Sequence, residues 1–197
     1  MRSRDRELSE DLVLEAYRQG FFPMAEHRHG PILWYSPDPR AIIPLESFHI
    51  PRSLRRIVRE EAYSIRYDTS FEPVMRACAE REDTWISEEI IRVYVRLFEQ
   101  GHGHSVETWQ EHSLVGGLYG VTLGGAFFGE SMFSRAANAS KIALVALVQK
   151  LRTEGFTLLD TQFITPHLSQ FGAREIPREE YLNLLEHALE QNPRFST

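Results

Sequence analysis

The 197-residue chain has one cysteine, two lysines, no excess of positive charge and no apolar run near the roughly 20 residues that a membrane-spanning helix needs. The lone thiol, Cys78, excludes an internal disulfide framework and fits a reducing compartment. Set among Val74, Met75 and Ala77, it reads as a small core residue. The polar start, Met1-Arg2-Ser3-Arg4-Asp5-Arg6-Glu7, carries no signal-peptide core, so a cytoplasmic protein without a membrane partner is expected. A formal net charge of -6 argues against indiscriminate nucleic-acid binding, and any polyanion must dock locally. Lys141 and Lys150 are the only lysines among 22 basic side chains. Arginine's planar fork suits phosphate, although genomic base composition explains the bias equally well.

With 42% hydrophobic residues, the chain can bury one substantial core, as one domain or one with a small appendage. Ser9 as a cap, Glu10 and Asp11 in the first turn and Gly20 as a stop predict a first helix over 9–19. The stretch 21–44 is rich in proline, glycine, histidine and aromatics, and predicts an ordered loop with one short strand at 32–35. Helices are expected over 51–60, 71–81 and 88–100, the last between Ser87 and Gly101. From His104 the pattern changes to strands, at 105–109, 114–123 and 126–133, with Gly124-Gly125 turning the last two into a hairpin. A long amphipathic helix over 138–152, a strand over 156–161 and helices at 166–171 and 178–190 complete the expectation. Antiparallel strands, a crossover helix and a further strand make a mixed α/β layer in which strand ends favour ligands.

Two acids stand out against this pattern. Glu130 lies inside the apolar run 127–134 directly after Gly129, and Asp160 ends the run 156–159 and begins Asp160-Thr161-Gln162. Burying a carboxylate costs several kcal/mol unless hydrogen bonds or an opposite charge offset it. Each acid therefore reads either as part of a functional site or as a strand cap facing solvent.

The segments Tyr17-Arg18-Gln19-Gly20-Phe21-Phe22-Pro23, Leu33-Trp34-Tyr35-Ser36-Pro37-Asp38-Pro39-Arg40, Thr84-Trp85-Ile86, Gly101-His102-Gly103-His104-Ser105-Val106-Glu107, Gly116-Gly117-Leu118-Tyr119-Gly120, Phe128-Gly129-Glu130-Ser131-Met132-Phe133-Ser134, Asn138-Ala139-Ser140-Lys141 and Asp160-Thr161-Gln162 occur in the order found in the bacterial leucyl/phenylalanyl-tRNA–protein transferases. The chain resembles that family from Tyr17 to Tyr181. The resemblance implies an α/β (α+β) fold, an acetyltransferase-like mixed sheet flanked by helices, with a reduced N-terminal helical and loop segment at 1–46 packing on a catalytic domain at 47–197. It also implies transfer of leucine or phenylalanine from aminoacyl-tRNA to a protein's N-terminal arginine or lysine, marking that protein for degradation. Relative to the family, the stretch before the first helix and the C-terminal tail are short, and Met24 stands where members commonly have tryptophan.

On that resemblance, Gln162 is expected to hydrogen-bond the attacking amine or the ester. Asp160 is expected to orient Gln162 and supply negative potential, and Glu130 to recognise the acceptor's amino group or basic side chain. The donor's aliphatic or aromatic side chain is expected among Leu118, Phe127, Met132, Leu144, Leu147, Leu151 and Leu159, each of which also reads as plain core. Tyr17, Met24, Trp85 and Tyr94 are expected around the aminoacyl-adenosine, where aromatic faces suit nucleobase stacking. Trp34 to Arg40 reads equally as the lip of the cleft or as a self-fixing loop.

Arg52, Arg55, Arg56 and Arg59, at spacings of three, four and seven, form one helix face suited to tRNA phosphates or to plain solvation. His102 and His104 alternate as in a strand but have no third ligand at metal spacing, so structural hydrogen bonding is expected and no metal. An aminoacyl ester is already activated, so no cofactor is expected either. A coenzyme-A-dependent acyltransferase and a non-catalytic binder of basic N-termini are the rival readings, and monomer is the default state. Against the first rival, the turn 134–141 lacks a glycine-rich, basic pyrophosphate loop.

Overall fold

The first helix begins where a cap is available. In the computed structural model, which describes residues 8–197, the Ser9 hydroxyl accepts the Leu12 N–H, Glu10 and Asp11 occupy the positive first turn and Arg18 the last, giving α1 (Glu10–Arg18). The polar start at 1–7, read above for a signal core, lies outside the described residues. No helix of the described residues is long and apolar enough to cross a membrane.

The stretch expected as a loop with one strand forms three. β1 (Phe22–Met24) and β2 (Leu33–Tyr35) pair as a small antiparallel ribbon, while β3 (Arg40–Ile42) enters the main sheet. The short strands β4 (Ser64–Tyr67) and β9 (Arg174–Ile176) were also not foreseen. Three or four residues are too few to display alternation, and these strands are held by partners distant in sequence. The expected boundary at 46 falls after β3, whose ladder lies within the larger sheet.

That sheet runs β4-β5-β6-β7-β8-β3-β9, with β5 (Gly103–Gln110), β6 (Ser113–Leu123), β7 (Ala126–Ser134) and β8 (Leu158–Gln162) at its centre. Gly124, at φ +55°, makes the tight turn between β6 and β7. Only β7 and β8 run parallel, because α5 (Ala139–Glu154) carries the chain back between them. The remaining helices are α2 (Arg52–Arg59), α3 (Phe71–Cys78), α4 (Glu88–Glu99), α6 (Pro166–Ser169) and α7 (Arg178–Leu189). The mixed α/β sheet flanked by helices is the architecture expected.

Alternation divides the core into two. Tyr119, Phe128 and Leu158 join a cluster containing residues of α1, α3, α4 and α7, while their neighbours Leu118, Phe127 and Leu159 join one built on α5. Cys78 is a core residue of the first cluster, as expected, and burial pushes its thiol up to about 12. The expected amphipathic pattern of α5 is corrected: every residue from Ile142 to Val148 is buried. The helix is sandwiched, with Leu54 of α2 and Phe171 in the same cluster as the sheet residues beneath it.

Two irregularities prepare a site. β7 and β8 pair only from Ala126↔Leu158 to Phe128↔Asp160 and have no paired residues beyond, although β7 continues to Ser134. β7 also carries a bulge at Glu130, since Gly120 faces Gly129 while Tyr119 faces Ser131. The inserted residue shifts the alternation, so Phe128 and Phe133, five apart, both join the first cluster. β8 carries a second bulge at Thr161, because Ala41 faces Gln162 and Ile42 faces Asp160. Bulges of this kind re-aim side chains beside functional sites.

Candidate active site

A cavity of about 760 Å³ opens where β7 and β8 part, a volume suited to a small organic ligand. Its floor is apolar, from Leu118, Met132, Leu144, Leu147 and Leu159, and Met24 and Trp85 line it as well. Seven of the expected donor-site residues thus meet at one place. Phe127 does not: it is fully buried, packs in the α5 cluster and leaves the cavity wall to its neighbours. Leu151 is likewise plain core.

Glu130 reaches the cavity from the β7 bulge. It accepts a 2.5 Å hydrogen bond from the Tyr17 hydroxyl, faces the Tyr94 hydroxyl at 3.5 Å, and the two phenols lie 2.8 Å apart. Burial raises its pKa to about 7, with the Asp160 charge adding to the rise and the Tyr17 and Tyr94 bonds and Arg40 opposing it. The expectation that Tyr17 and Tyr94 offer stacking faces is corrected. Both are fully buried and absent from the cavity wall; Tyr17 packs tilted on Phe128 at 4.4 Å. Their hydroxyls instead hold the carboxyl, and burial with the adjacent Glu130 charge drives both phenols well above their ordinary pKa. Of the four residues expected around the aminoacyl-adenosine, Trp85 and Met24 line the cavity.

Across the splay, Asp160 is fully buried in the middle of β8, at its last pair with β7. Its Oδ1 accepts from Arg40 Nε at 2.9 Å and from the Gln162 backbone N–H at 2.9 Å, and its Oδ2 from Arg40 Nη2 at 2.6 Å and the Tyr181 hydroxyl at 2.8 Å. All four acceptor directions of the carboxylate are therefore used. Asp160 orients Gln162, but through the main chain rather than the side-chain amide. Its carboxylate is paired with Arg40, and its charge is still felt at Glu130. The bond also closes the loop that places Gln162 at φ +60°, a conformation L residues adopt at some cost.

Arg40 is the residue that the sequence did not reveal. It is fully buried, donates to the Gly20 carbonyl at 3.1 Å, and its guanidinium lies 4.8 Å from the Phe22 ring centre and 4.5 Å from that of Tyr181. Burial works to lower its pKa, but the Asp160 charge and hydrogen bonds outweigh it and hold the cation. The segment 34–40 is thus partly resolved in favour of structure. Trp34 borders a separate hollow with Leu12 and Glu89 and does not line the main cavity, and Arg40 lies beneath the site.

Gln162 itself is 7% exposed, lines the cavity, and its side-chain Nε2 has no hydrogen-bond partner; the neighbouring Thr161 hydroxyl is equally unpartnered. An amide donor left unpaired in a buried position normally costs about 1–3 kcal/mol, which points to a ligand that completes it. The arrangement can hold an apolar group on the floor, offer a neutral amide to a polar reacting centre and present an acid of near-neutral pKa to a cation.

Arg52, Arg55, Arg56 and Arg59 all emerge on the exposed side of α2, around a shallow hollow with Ile50 and Val58. Arg56 lies 3.7 Å from Glu60, an exposed pair of little energetic weight. None of the four lines the main cavity. His104 meets Asp68 at 2.8 Å and Thr122 at 3.1 Å, and His102 the Thr122 carbonyl at 3.1 Å, which are the structural bonds expected of them.

The chain is similar to known proteins along most of its length. Residues 42–186 match the family model described as leucyl/phenylalanyl-tRNA protein transferase, and residues 6–38 the model of that transferase's N-terminal domain. Proteins named leucyl/phenylalanyl-tRNA–protein transferase are similar over nearly the whole chain. One from Gloeobacter violaceus is 58% identical, covering 92% of this chain and 94% of its own. One from Paramagnetospirillum magneticum is 58% identical, covering 96% and 93%. A third, from Herpetosiphon aurantiacus, is 57% identical, covering 96% and 99%.

Proposed function

Because the chain belongs to the leucyl/phenylalanyl-tRNA protein transferase family, we propose that it transfers leucine or phenylalanine from aminoacyl-tRNA to the N-terminal arginine or lysine of acceptor proteins. The observation that carries this reading is the unpaired Gln162 amide, set at the splay with the Glu130 acid on the facing strand and an apolar floor between.

The donor's side chain lies on Leu118, Met132, Leu144, Leu147 and Leu159, and its adenosine against Trp85 and Met24. One methylene is worth only about 1–3 kcal/mol in such a pocket, so discrimination among aliphatic donors is incomplete. The acceptor's α-amine attacks the ester carbonyl. The carbon–nitrogen bond forms, the bond to the ribose oxygen breaks, and the proton lost by nitrogen ends on that oxygen. An α-amine with a pKa near 7.7 to 8.0 is partly neutral at physiological pH, so alignment supplies most of the rate. Gln162 provides it: Nε2 donates to the ester oxygen as charge develops there, and Oε1 accepts from the amine. A glutamine is no base, and Asp160, with all its acceptor directions filled, is none either. Glu130, once ionised, receives the acceptor's cationic group. The exposed arginines of α2 hold the acceptor end of the tRNA. The ester is already activated, so no cofactor enters, and the protein acts as a monomer in the cytoplasm.

The test incubates the protein with leucyl-tRNA labelled in its leucine and peptides differing only in the first residue, without ATP or coenzyme A. Label is expected in the Arg- and Lys-starting peptides and not in a Glu-starting one. Label in none of them contradicts the reading.

A further inference from the structure

Arg81, on the cavity wall, and Lys141, next in sequence to the wall residue Ser140, take part in no ion pair among the described residues. Arg81 lines the cavity, is exposed, and donates to the Met132 carbonyl, an uncharged acceptor. Lys141 donates to the Gln170 side-chain oxygen at 3.3 Å, and Gln170 in turn bonds at 2.7 Å to the carbonyl of His167, another residue of the cavity wall. His167 is held below its ordinary pKa by burial first and then by the charges of Lys141 and Arg81. Arg135, close by, differs in being paired with Glu80 at 2.5 Å.

Lys141 is also placed against the field of its own helix. It stands in the first turn of α5, where the helix end is positive, no acid accompanies it and Asn138 provides no side-chain cap. Such a cation is disfavoured there unless an anion joins it. The cavity wall thus carries Glu130 and the unpaired Arg81, while its other charges, Glu80 and Arg135, pair with each other, on a protein whose net charge is -6.

We propose that Arg81 and Lys141 form a subsite for the phosphodiester that links the donor's terminal adenosine to the rest of the RNA. The inference rests on the transferase reading and deepens it. With the acyl group on the apolar floor and the ester at Gln162, the adenosine falls beside Trp85, and Arg81, also on the cavity wall, is only four residues from Trp85 on the same loop, within reach of the phosphodiester that follows. Arginine and lysine together give the charge-assisted donors a phosphate diester needs. This subsite is distinct from α2, whose arginines stand away from the cavity wall.

The test measures inhibition of transfer from intact leucyl-tRNA by adenosine and by adenosine 5′-monophosphate, which adds one phosphate at the oxygen where the RNA would continue. The parent protein is expected to bind the monophosphate about tenfold more tightly than adenosine, a difference of about 1.4 kcal/mol. Arg81→Gln and Lys141→Gln should each reduce that preference to about twofold or less while adenosine inhibits as before, which also shows the cavity intact. Arg81→Lys should keep most of it. Equal potency of the two inhibitors on the parent, or a preference untouched in both glutamine variants, overturns the subsite. Absence of any transfer from leucyl-tRNA instead strikes the transferase reading, so the two failures are distinguishable.

Discussion

On the proposed reading, a proton on Glu130 governs the acceptor side of the site. Burial raises this carboxyl from the ordinary 4.5 to about 7, so it ionises just where an acceptor's cation must be met. Dividing the kcat/KM for an Arg-starting peptide by that of Glu130→Gln cancels the titration of the peptide's own amine. The quotient should rise from pH 6 to pH 8, and a flat quotient would remove Glu130 from acceptor recognition. Stability runs the other way. A carboxyl with a raised folded-state pKa contributes fully below its unfolded value and loses that contribution as pH rises through about 7. Urea unfolding of the parent should therefore weaken between pH 4.5 and 8 relative to Glu130→Gln, by roughly 1 to 3 kcal/mol. Tyr17→Phe deletes the 2.5 Å bond that favours the ionised form, and should move the acid limb of the activity profile to higher pH. Glu130 was legible because an acid within an apolar strand is anomalous by itself. The true work of Tyr17 and Tyr94 was not, since a sequence shows that a ring is present but not which end of it meets a partner. Arg40 was still less legible: it follows Asp38-Pro39 in a stretch that reads as loop, and its partner Asp160 lies 120 positions away. Arg40→Leu should cost about 3–5 kcal/mol by leaving a buried carboxylate unpaired, while Arg40→Leu with Asp160→Leu should regain most of that stability and still lack transfer. Recovery of transfer in the double variant would show that the pair serves only the fold.

At the scale of elements, the site exists because two neighbouring strands stop pairing. β7 and β8 part after Phe128 and Asp160, each carries a bulge at the point of separation, and α5 closes over one face. The hairpin β6–β7, the crossover and the end of β8 could be read from glycines, alternation and an abrupt polar triplet. The bulges could not, because a bulge is a relation between two strands and leaves little trace in either alone. The short strands β1, β3, β4 and β9 escaped for the same reason. The close seat of α5 depends on Gly116, where a Cβ would lie 2.5 Å from the Ala139 Cβ and 2.6 Å from the Thr108 hydroxyl. Gly116→Ala should therefore lift the N-terminal turn of α5, destabilise the protein by about 1–3 kcal/mol and lower transfer beyond what unfolding explains. Unfolding curves and rates matching the parent would show that the helix has room to shift.

For the molecule as a whole, an acidic protein that takes a polyanionic substrate must confine its attraction to a few places. The four exposed arginines of α2 set an upper limit of about four phosphate contacts there, so the affinity for leucyl-tRNA should fall with salt at a logarithmic slope of about -3. Each Arg→Gln change on α2 should reduce that slope by about one, and a slope left unchanged by all four would move the RNA elsewhere. Composition had already indicated local docking, and spacing the stripe itself; the distance of that stripe from the cavity wall emerged only with the fold. What unites the scales is a neutral amide held ready by a buried ion pair. The most direct trial is the single-turnover rate of a preformed complex with leucyl-tRNA on addition of an Arg-starting peptide. Gln162→Ala should slow that step about 100-fold, with the affinity for leucyl-tRNA within about twofold of the parent. An undiminished rate, or a loss confined to leucyl-tRNA binding, would contradict the account.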